Sequence, residues 1–392
     1  MNILIVNAGS SSLKFQLIKA DETFETLYEG IVDGIGKASC FFAASAGTKS
    51  VNYKKRIPDH TKALNEAISI LLEFGVIKSL KEIDAVGHRV VHGGEKYTKA
   101  TKLTIPVIRN IEAIAELAPL HNPANLQGIY ASMEIITHAP HIAIFDTAFH
   151  QTLPEKAYKY ALPEEWYKDY HIRKYGFHGT NHKYIAHQTY TLIGKNKGKI
   201  VTCHLGNGSS ISAVKDNVCI ETSMGFTPLE GIPMGTRSGS IDPAIPLYMM
   251  EKLKIDSNKM DGILNNNSGI LAISDLSSDV REIWEKAQKN NKKAIYTLEK
   301  LAYEIALKIG AYAAAMDGLD AITFTAGIGE NAWYLRRDVC SYLTHLGVKL
   351  DSRKNRSNAA QINDEESKVK IFVIKANEGK QMAREVFNFL NK

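Results

Sequence analysis

Asn2-Ile3-Leu4-Ile5-Val6-Asn7-Ala8-Gly9-Ser10-Ser11-Ser12-Leu13-Lys14-Phe15-Gln16 is the stretch that decides the fold. Ile3–Val6 is an apolar run of strand length, and it ends in a turn of small donors and acceptors, Asn7–Ser12. Beyond it, Leu13, Phe15 and Leu17 alternate with Lys14 and Gln16; period two predicts a second strand rather than a helix. The product is a β-hairpin whose tip offers backbone N–H groups, three hydroxyls, an amide and an ammonium, all suited to phosphate oxygens. Walker and Rossmann glycine loops both open a helix, so this tip is neither. Taken alone, it reads equally well as a polar hairpin at the start of a sheet.

The layout recurs. Lys199–Leu205 is an apolar strand ending in Gly206-Asn207-Gly208-Ser209-Ser210, followed by strand-like residues from Ile211 and a turn at Asp216-Asn217. Setting Gly9-Ser10-Ser11 on Gly208-Ser209-Ser210 predicts a duplicated domain with one phosphate hairpin per half. A third glycine turn, Ala326–Asn331, follows the strand Ala321–Thr325 and leads into a helix, a geometry that favours anions. Three such turns exceed what a dehydrogenase needs and match a nucleoside triphosphate cradle. Residues 24–57 read as strands with turns at Gly30, Gly34 and Gly36. Helices are expected near 59–74, 106–117, 180–192, 291–316 and 380–389, and another with Asn122 as its cap. Strand hairpins alternating with helices predict an α/β fold with mixed sheets, two halves joined near residues 150–176, and a site in the cleft between them.

Bulk properties narrow the function. The 392 residues suffice for two or three domains, and 44% hydrophobic with 23% charged residues is ordinary for a globular enzyme. A net charge of +6, with lysines scattered among acids, gives no basic stripe for nucleic acid. The four cysteines are far apart, which disfavours structural zinc and a disulfide framework. The first residues lack a basic signal-peptide region, and no apolar run reaches membrane-spanning length, so a cytoplasmic protein without membrane contact is expected.

Candidate functional side chains sit at strand ends. Asn7 and Glu378 are oxygen donors beside the phosphate cradle, a pair that suits Mg²⁺, which takes few protein oxygens; Glu378 reads equally as an acid at a helix N-terminus. Arg89, in Gly-His-Arg-Val-Val-His-Gly-Gly, and Arg237, in Pro-Met-Gly-Thr-Arg-Ser-Gly, have glycine neighbours that let a guanidinium approach an anion closely. Asp146 ends the strand His141–Phe145. His178 and His182 are spaced i, i+4, but H-E-x-x-H is missing, so His178 is read as a donor to a phosphoryl oxygen rather than a zinc ligand.

The opening Asn7–Phe15, His88–Glu95, Leu120–Pro123, Phe145–His150, Gly176–Thr180, His204–Ser210, Thr227–Arg237 and Gly327–Asn331 together resemble the acetate kinase family, in order from residue 2 to about 385. Propionate and butyrate kinases share much of this pattern. The resemblance implies two similar domains of the actin-like, sugar kinase and Hsp70 ATPase fold with an interdomain cleft, expected at 1–149 plus 379–392 and at 150–378. It implies a homodimer that converts ATP and acetate to ADP and acetyl phosphate by direct in-line transfer, with Mg²⁺ or Mn²⁺.

By motif, the resemblance assigns Asn7 and Glu378 to the metal, and Ser10, Ser12 and Lys14 to the nucleotide phosphates. Arg89, Arg237, His178 and Asp146 become catalytic. Val91, Leu120, Phe177 and Pro228 form the methyl pocket, which His121 also lines. His204, Leu205, Gly206, Asn207 and Gly208, with Gly327, Ile328, Gly329, Glu330 and Asn331, become nucleotide loops, and Asp279, Val280 and Arg281 the adenine side. Asn181, Ser240, Ala272, Asp275-Leu276 and Val280 depart from the usual family residues and bear on nucleotide preference. Readings of other classes are a nucleotide-gated clamp of the Hsp70 type and a non-enzymatic structural protein.

Overall fold

In the computed structural model, which describes residues 1–118 and 121–392, the opening stretch forms two antiparallel strands, β1 (Asn2–Gly9) and β2 (Ser12–Lys19). The predicted hairpin is therefore present, with a tip of only Ser10 and Ser11. Further strands are β3 (Glu25–Asp33), β4 (Cys40–Ala46), β5 (Lys49–Lys55), β6 (Ala85–Val90), β7 (Thr101–Lys102) and β8 (His141–Phe145). They complete an eight-stranded sheet ordered β5-β4-β3-β2-β1-β6-β8-β7. The chain divides into two compact units, Met1–Phe149 with Asn377–Lys392, and His150–Ala376. This places Glu378 with the first unit, whereas the sequence reading grouped it with the second.

The second unit holds β9 (Lys199–Leu205), β10 (Ser209–Lys215), β11 (Val218–Thr222), β12 (Ala321–Thr325) and β13 (Lys370–Val373), ordered β11-β10-β9-β12-β13. Its sheet repeats the β3-β2-β1-β6-β8 pattern: two antiparallel pairings, then two parallel ones. The duplication is thus visible in topology, but the serine alignment is not. Leu205 pairs with Ser209 around the three-residue tip Gly206–Gly208, so Ser209 and Ser210 are buried strand residues, whereas Ser10 and Ser11 form the first tip.

Local expectations differ at four places. Gly30 lies inside β3, not in a turn: a Cβ there would stand 2.4 Å from the Ala43 carbonyl and 2.4 Å from the Phe15 ring. The helix Asn122–Ile135 is capped by His121, because the Asn122 side chain binds the His92 backbone in both directions. Ala326–Asn331 is itself a short helix rather than a glycine turn. Residues 150–176 contain two short helices, Glu155–Tyr158 and Glu164–Tyr170.

The helix His60–Glu73 has an apolar face of Ala63, Leu64, Ala67, Ile68 and Leu71 buried in the first unit, and Asp59 caps it by accepting from the Lys62 N–H. The 25-residue helix Lys292–Met316 buries Leu298, Leu301, Ala302, Ile305 and Ile309 against the second sheet. These two cores hold the strand ends that carry the candidate residues. Among the described residues, no helix is long and apolar enough to cross a membrane.

Candidate active site

In the first unit, β1, β6 and β8 run parallel or adjacent and deliver Asn7, Arg89 and Asp146 to one edge. Arg89 Nε donates to Asp146 Oδ2 at 2.9 Å, Nη2 donates to the same oxygen, and Nη1 reaches Asn7 Oδ1 at 3.4 Å. Asp146 is almost fully buried, and Arg89 is half-buried. Burial works against the Arg89 charge, but Asp146 and Glu378 outweigh it and hold its pKa above the ordinary arginine value. Glu378 opens the helix Glu378–Leu390; burial raises its pKa, with Asp146 adding to the rise while Arg89 and Lys14 oppose it. Asn7, Lys14, Arg89, Asp146 and Glu378 therefore belong to one electrostatic cluster.

The hairpin tip is pinned from several elements. The Gly9 carbonyl lies 2.8 Å from His60 Nε2, the Ala8 carbonyl accepts from Asn125 Nδ2 at 2.7 Å, and the Ser11 carbonyl accepts from the Gly34 and Ile35 N–H groups. Sequence reasoning missed His60 and Asn125, since nothing local marks a side chain that reaches another element. Val91 and His121 sit close by: Asn125 accepts from the Val91 N–H, Asn122 accepts from the His92 N–H, and both asparagines lie on the helix that His121 caps. Leu120, the other expected pocket residue here, lies outside the described residues.

The second unit gathers a different set. His178 caps the helix Gly179–Leu192 in a left-handed conformation, φ 56°, which is unusual for a residue with a side chain. Its ring stacks on His204, centroids 4.1 Å apart. His178 Nδ1 and His182 Nε2 both meet the Ser210 hydroxyl, so neither nitrogen points at a shared metal position. Asn181 Nδ2 donates to His204 Nδ1 at 2.7 Å. A Cβ on Gly208 would stand 3.4 Å from Arg237 Nη1 and 3.6 Å from His178 Nε2, so both side chains face the tip of the second hairpin. Arg237 Nη1 donates to the Pro228 carbonyl at 3.3 Å; among the described residues no carboxylate pairs with it, and burial lowers its pKa.

Next to that tip is a cavity of about 800 Å³ lined by Gly206, Asn207, Asp279, Val280, Arg281, Gly327, Ile328 and Asn331. Three separate stretches expected to contact nucleotide are thus brought together. Trp284 and Tyr334, stacked with centroids 4.1 Å apart, form an aromatic wall that the sequence reading missed. The signal was present, because Trp284 lies four residues after Val280 on the helix Val280–Ala287. Leu205 and Gly329 instead face the core, and the Glu330 carboxylate accepts the Ala376 N–H. Behind this edge, buried Arg336 spends all five donors on Gly329, Glu330, Asn355 and Asn358. Phe177 is buried, and its carbonyl lies 2.9 Å from His150 Nε2.

With this geometry in view, the comparisons decide the family. A profile of the acetokinase family matches residues 2–384. The chain belongs to the acetokinase family. It is 49% identical to acetate kinase of Thermotoga maritima, across 100% of this chain and 99% of that one. It is also similar to the crystal structure of Porphyromonas gingivalis acetate kinase, with 38% identity, TM-score 0.93 and 99% of both chains covered. A propionate kinase from Francisella tularensis matches with the same identity and TM-score over 98% of both chains. The fold is that of the acetokinase family, the two-domain actin-like α/β class.

The acetokinase donor set was also read for a metal. Asn7 and Glu378 are hard oxygen donors with no thiolate or imidazole in their cluster, which fits Mg²⁺ or Mn²⁺. Among the described residues, no group of three or more His, Cys, Asp and Glu side chains is arranged to hold a metal by itself. The pair of oxygen donors suits an ion that takes most of its ligands from phosphate and water.

Proposed function

We propose that this chain transfers the γ-phosphoryl group of ATP to acetate, giving acetyl phosphate and ADP, and runs the reverse reaction. The observation that carries this reading is the double use of one glycine tip: Gly206 and Asn207 line the large cavity, while Gly208 faces Arg237 and His178. A nucleotide seated in the cavity would place its terminal phosphates at the cationic end. Members of the family use ATP and ADP with a divalent metal; we assign Asn7 and Glu378 to hold Mg²⁺, which would neutralise phosphate charge when bound.

Acetate is ionised at neutral pH, since a carboxyl group titrates near pH ~4. Its attack on phosphorus needs no general base; the barrier is an anion approaching a polyanion. Arg237 and His178 answer that barrier with charge. Arg89 meets the acid's carboxylate, and Asp146 aims the guanidinium rather than taking a proton. We assign Val91, Leu120, His121, Phe177 and Pro228 to recognition of the methyl group. Ser10, Ser12 and Lys14 hold phosphate oxygens from the first hairpin. We further propose a cytoplasmic homodimer. Propionate is the second reading for the acceptor, favoured by the propionate kinase match, because one methylene changes selectivity by only about 1–3 kcal/mol.

The test is to trap acyl phosphate as the hydroxamate with MgATP over one- to four-carbon acids. Acetate should give the highest kcat/KM. ATP hydrolysis that ignores the acid would favour a nucleotide-gated clamp, and MgATP binding without turnover a structural protein.

A further inference from the structure

Ser210 is fully buried on β10, and its hydroxyl lies between two imidazoles, His178 Nδ1 at 2.8 Å and His182 Nε2 at 2.7 Å. On the far side of His182, Nδ1 lies 2.7 Å from Thr202 Oγ1 on β9, and that hydroxyl reaches the Ser212 carbonyl at 3.4 Å. Each hydroxyl has one proton to give, a neutral imidazole has one donor and one acceptor nitrogen, and a carbonyl only accepts. With His182 neutral, one arrangement satisfies every contact. Thr202 donates to Ser212, His182 donates from Nδ1 to Thr202, Ser210 donates to the bare Nε2 of His182, and His178 donates from Nδ1 to Ser210. Burial, helped by His150 and His204, keeps His182 neutral, well below the ordinary imidazole pKa.

We propose that Thr202, His182 and Ser210 form a positioning relay that keeps the proton of neutral His178 on Nδ1, so that His178 donates from Nε2, the nitrogen facing Gly208, only as the imidazolium. None of the three need touch substrate; they act through His178. The titratable or charged groups around His178 are His204, stacked on it from β9, His182 on its own helix with His150 behind, and Arg237 across Gly208. An imidazolium stacked on His204, beside Arg237 and the glycine tip, supplies a full charge to a phosphoryl oxygen where the neutral ring would present a lone pair.

The consequence rests, in its kinetic part, on the phosphotransfer reading. Turnover falls toward alkaline pH, where the neutral ring faces phosphate with an acceptor. Thr202→Val reverses the relay from a distance. His182 loses the acceptor for Nδ1 and carries its proton on Nε2, Ser210 turns its hydroxyl to His178 Nδ1, and neutral His178 becomes the Nε2–H tautomer. Thr202→Val therefore retains activity at alkaline pH because the neutral ring still donates from Nε2, and the alkaline limb of kcat flattens. Ser210→Ala, which removes the acceptor from His178 Nδ1, flattens the limb the same way.

The experiment is nitrogen-15 NMR of the histidine-labelled full chain, with the His178 signals assigned by their loss in His178→Gln, alongside kcat–pH profiles of wild type and both variants. The expected result is neutral His178 as Nδ1–H in wild type and as Nε2–H in Thr202→Val. An Nε2–H tautomer in wild type, an unmoved tautomer in a folded Thr202→Val, or activity reduced by one factor at every pH in both variants would overturn the relay. A wild-type chain that makes no acyl phosphate would remove the proposed function instead, and the tautomer measurement would still decide the relay.

Discussion

Replacing Asp146 with Asn tests the division of labour in the first unit most directly. Asp146 Oδ2 accepts from Arg89 Nε and Nη2, and the carboxylate is almost fully buried. Asn keeps the shape and one carbonyl oxygen that still faces the guanidinium, but it removes the charge. A hydrogen bond to a charged group contributes about 1.5–3 kcal/mol against about 0.5–1.5 for a neutral one. Two such bonds weakened together give about 2–3 kcal/mol, or roughly 30- to 150-fold in kcat/KM for acetate, since each ~1.4 kcal/mol is tenfold. The loss should be a constant factor between pH 6 and 9, because an aiming residue moves no proton. The assay is hydroxamate trapping across that range, with thermal melting to confirm the fold. A loss under threefold would dismiss the aiming role, and a loss that grows with pH would point to Asp146 as a base.

Four further outcomes follow from the same geometry. Arg237→Ala should lower kcat on the order of 10³-fold, by analogy with arginine fingers, measured under saturating MgATP and acetate; a loss below tenfold would remove Arg237 from the transferring phosphoryl group. Gly30→Ala forces a methyl against the Ala43 carbonyl and the Phe15 ring and should destabilise by about 1–3 kcal/mol in urea unfolding, whereas Gly75→Ala, with open space but positive φ, tests backbone strain alone. Burial holds His88 and His141 below the ordinary imidazole value, with His141 also disfavouring charge on His88; a depressed folded pKa means stability present above ~6.5 and eroding as pH falls below it, so Tm should drop from pH 7 to 5, and less steeply in His141→Asn. Arg336→Met leaves five acceptors without a donor, three of them buried, and should cost at least about 3 kcal/mol, since each buried acceptor left unmet costs about 1–3 kcal/mol, with weaker nucleotide binding because Gly329 and Glu330 belong to the helix edging the cavity.

What was legible in the sequence was whatever is local. Period-two alternation located β2, and the apolar runs located β1, β9, β12 and β8 to within a few residues. Helix starts near Asp59 and Asn291 were equally readable, and both residues turn out to be the caps. The failures share a cause, which is competition from another element. Asn122 looked like a cap, but its amide finds the His92 backbone 30 residues away. Gly30 looked like a turn, but it is the gap into which the Phe15 ring fits. The second hairpin tip was misaligned because Ser209 and Ser210 resemble Ser10 and Ser11 in sequence, while strand pairing puts them inside the sheet. The candidate residues were found at strand ends; the groups that orient them, His60, Asn125, Ser210 and Arg336, were not, since each acts through a contact that no spacing rule encodes.

Under the proposed function, the two glycine-flanked arginines would set one residue type to two tasks. Arg89 is bracketed by Asp146 and lies in the field of Glu378, so its charge is already answered and its orientation fixed. A paired guanidinium adds little net field but gives a rigid fork, which suits the recognition of a planar carboxylate. Arg237 has no carboxylate partner among the described residues, and burial alone shifts its pKa downward. An uncompensated, partly desolvated cation is costly in the empty protein, and an arriving anion relieves that cost. The same reasoning gives a role to the placement of His178 and Arg237 at one glycine tip. A transferring phosphoryl group spreads charge over several oxygens, and it needs free positive charge on more than one side, whereas an acetate ion needs aim.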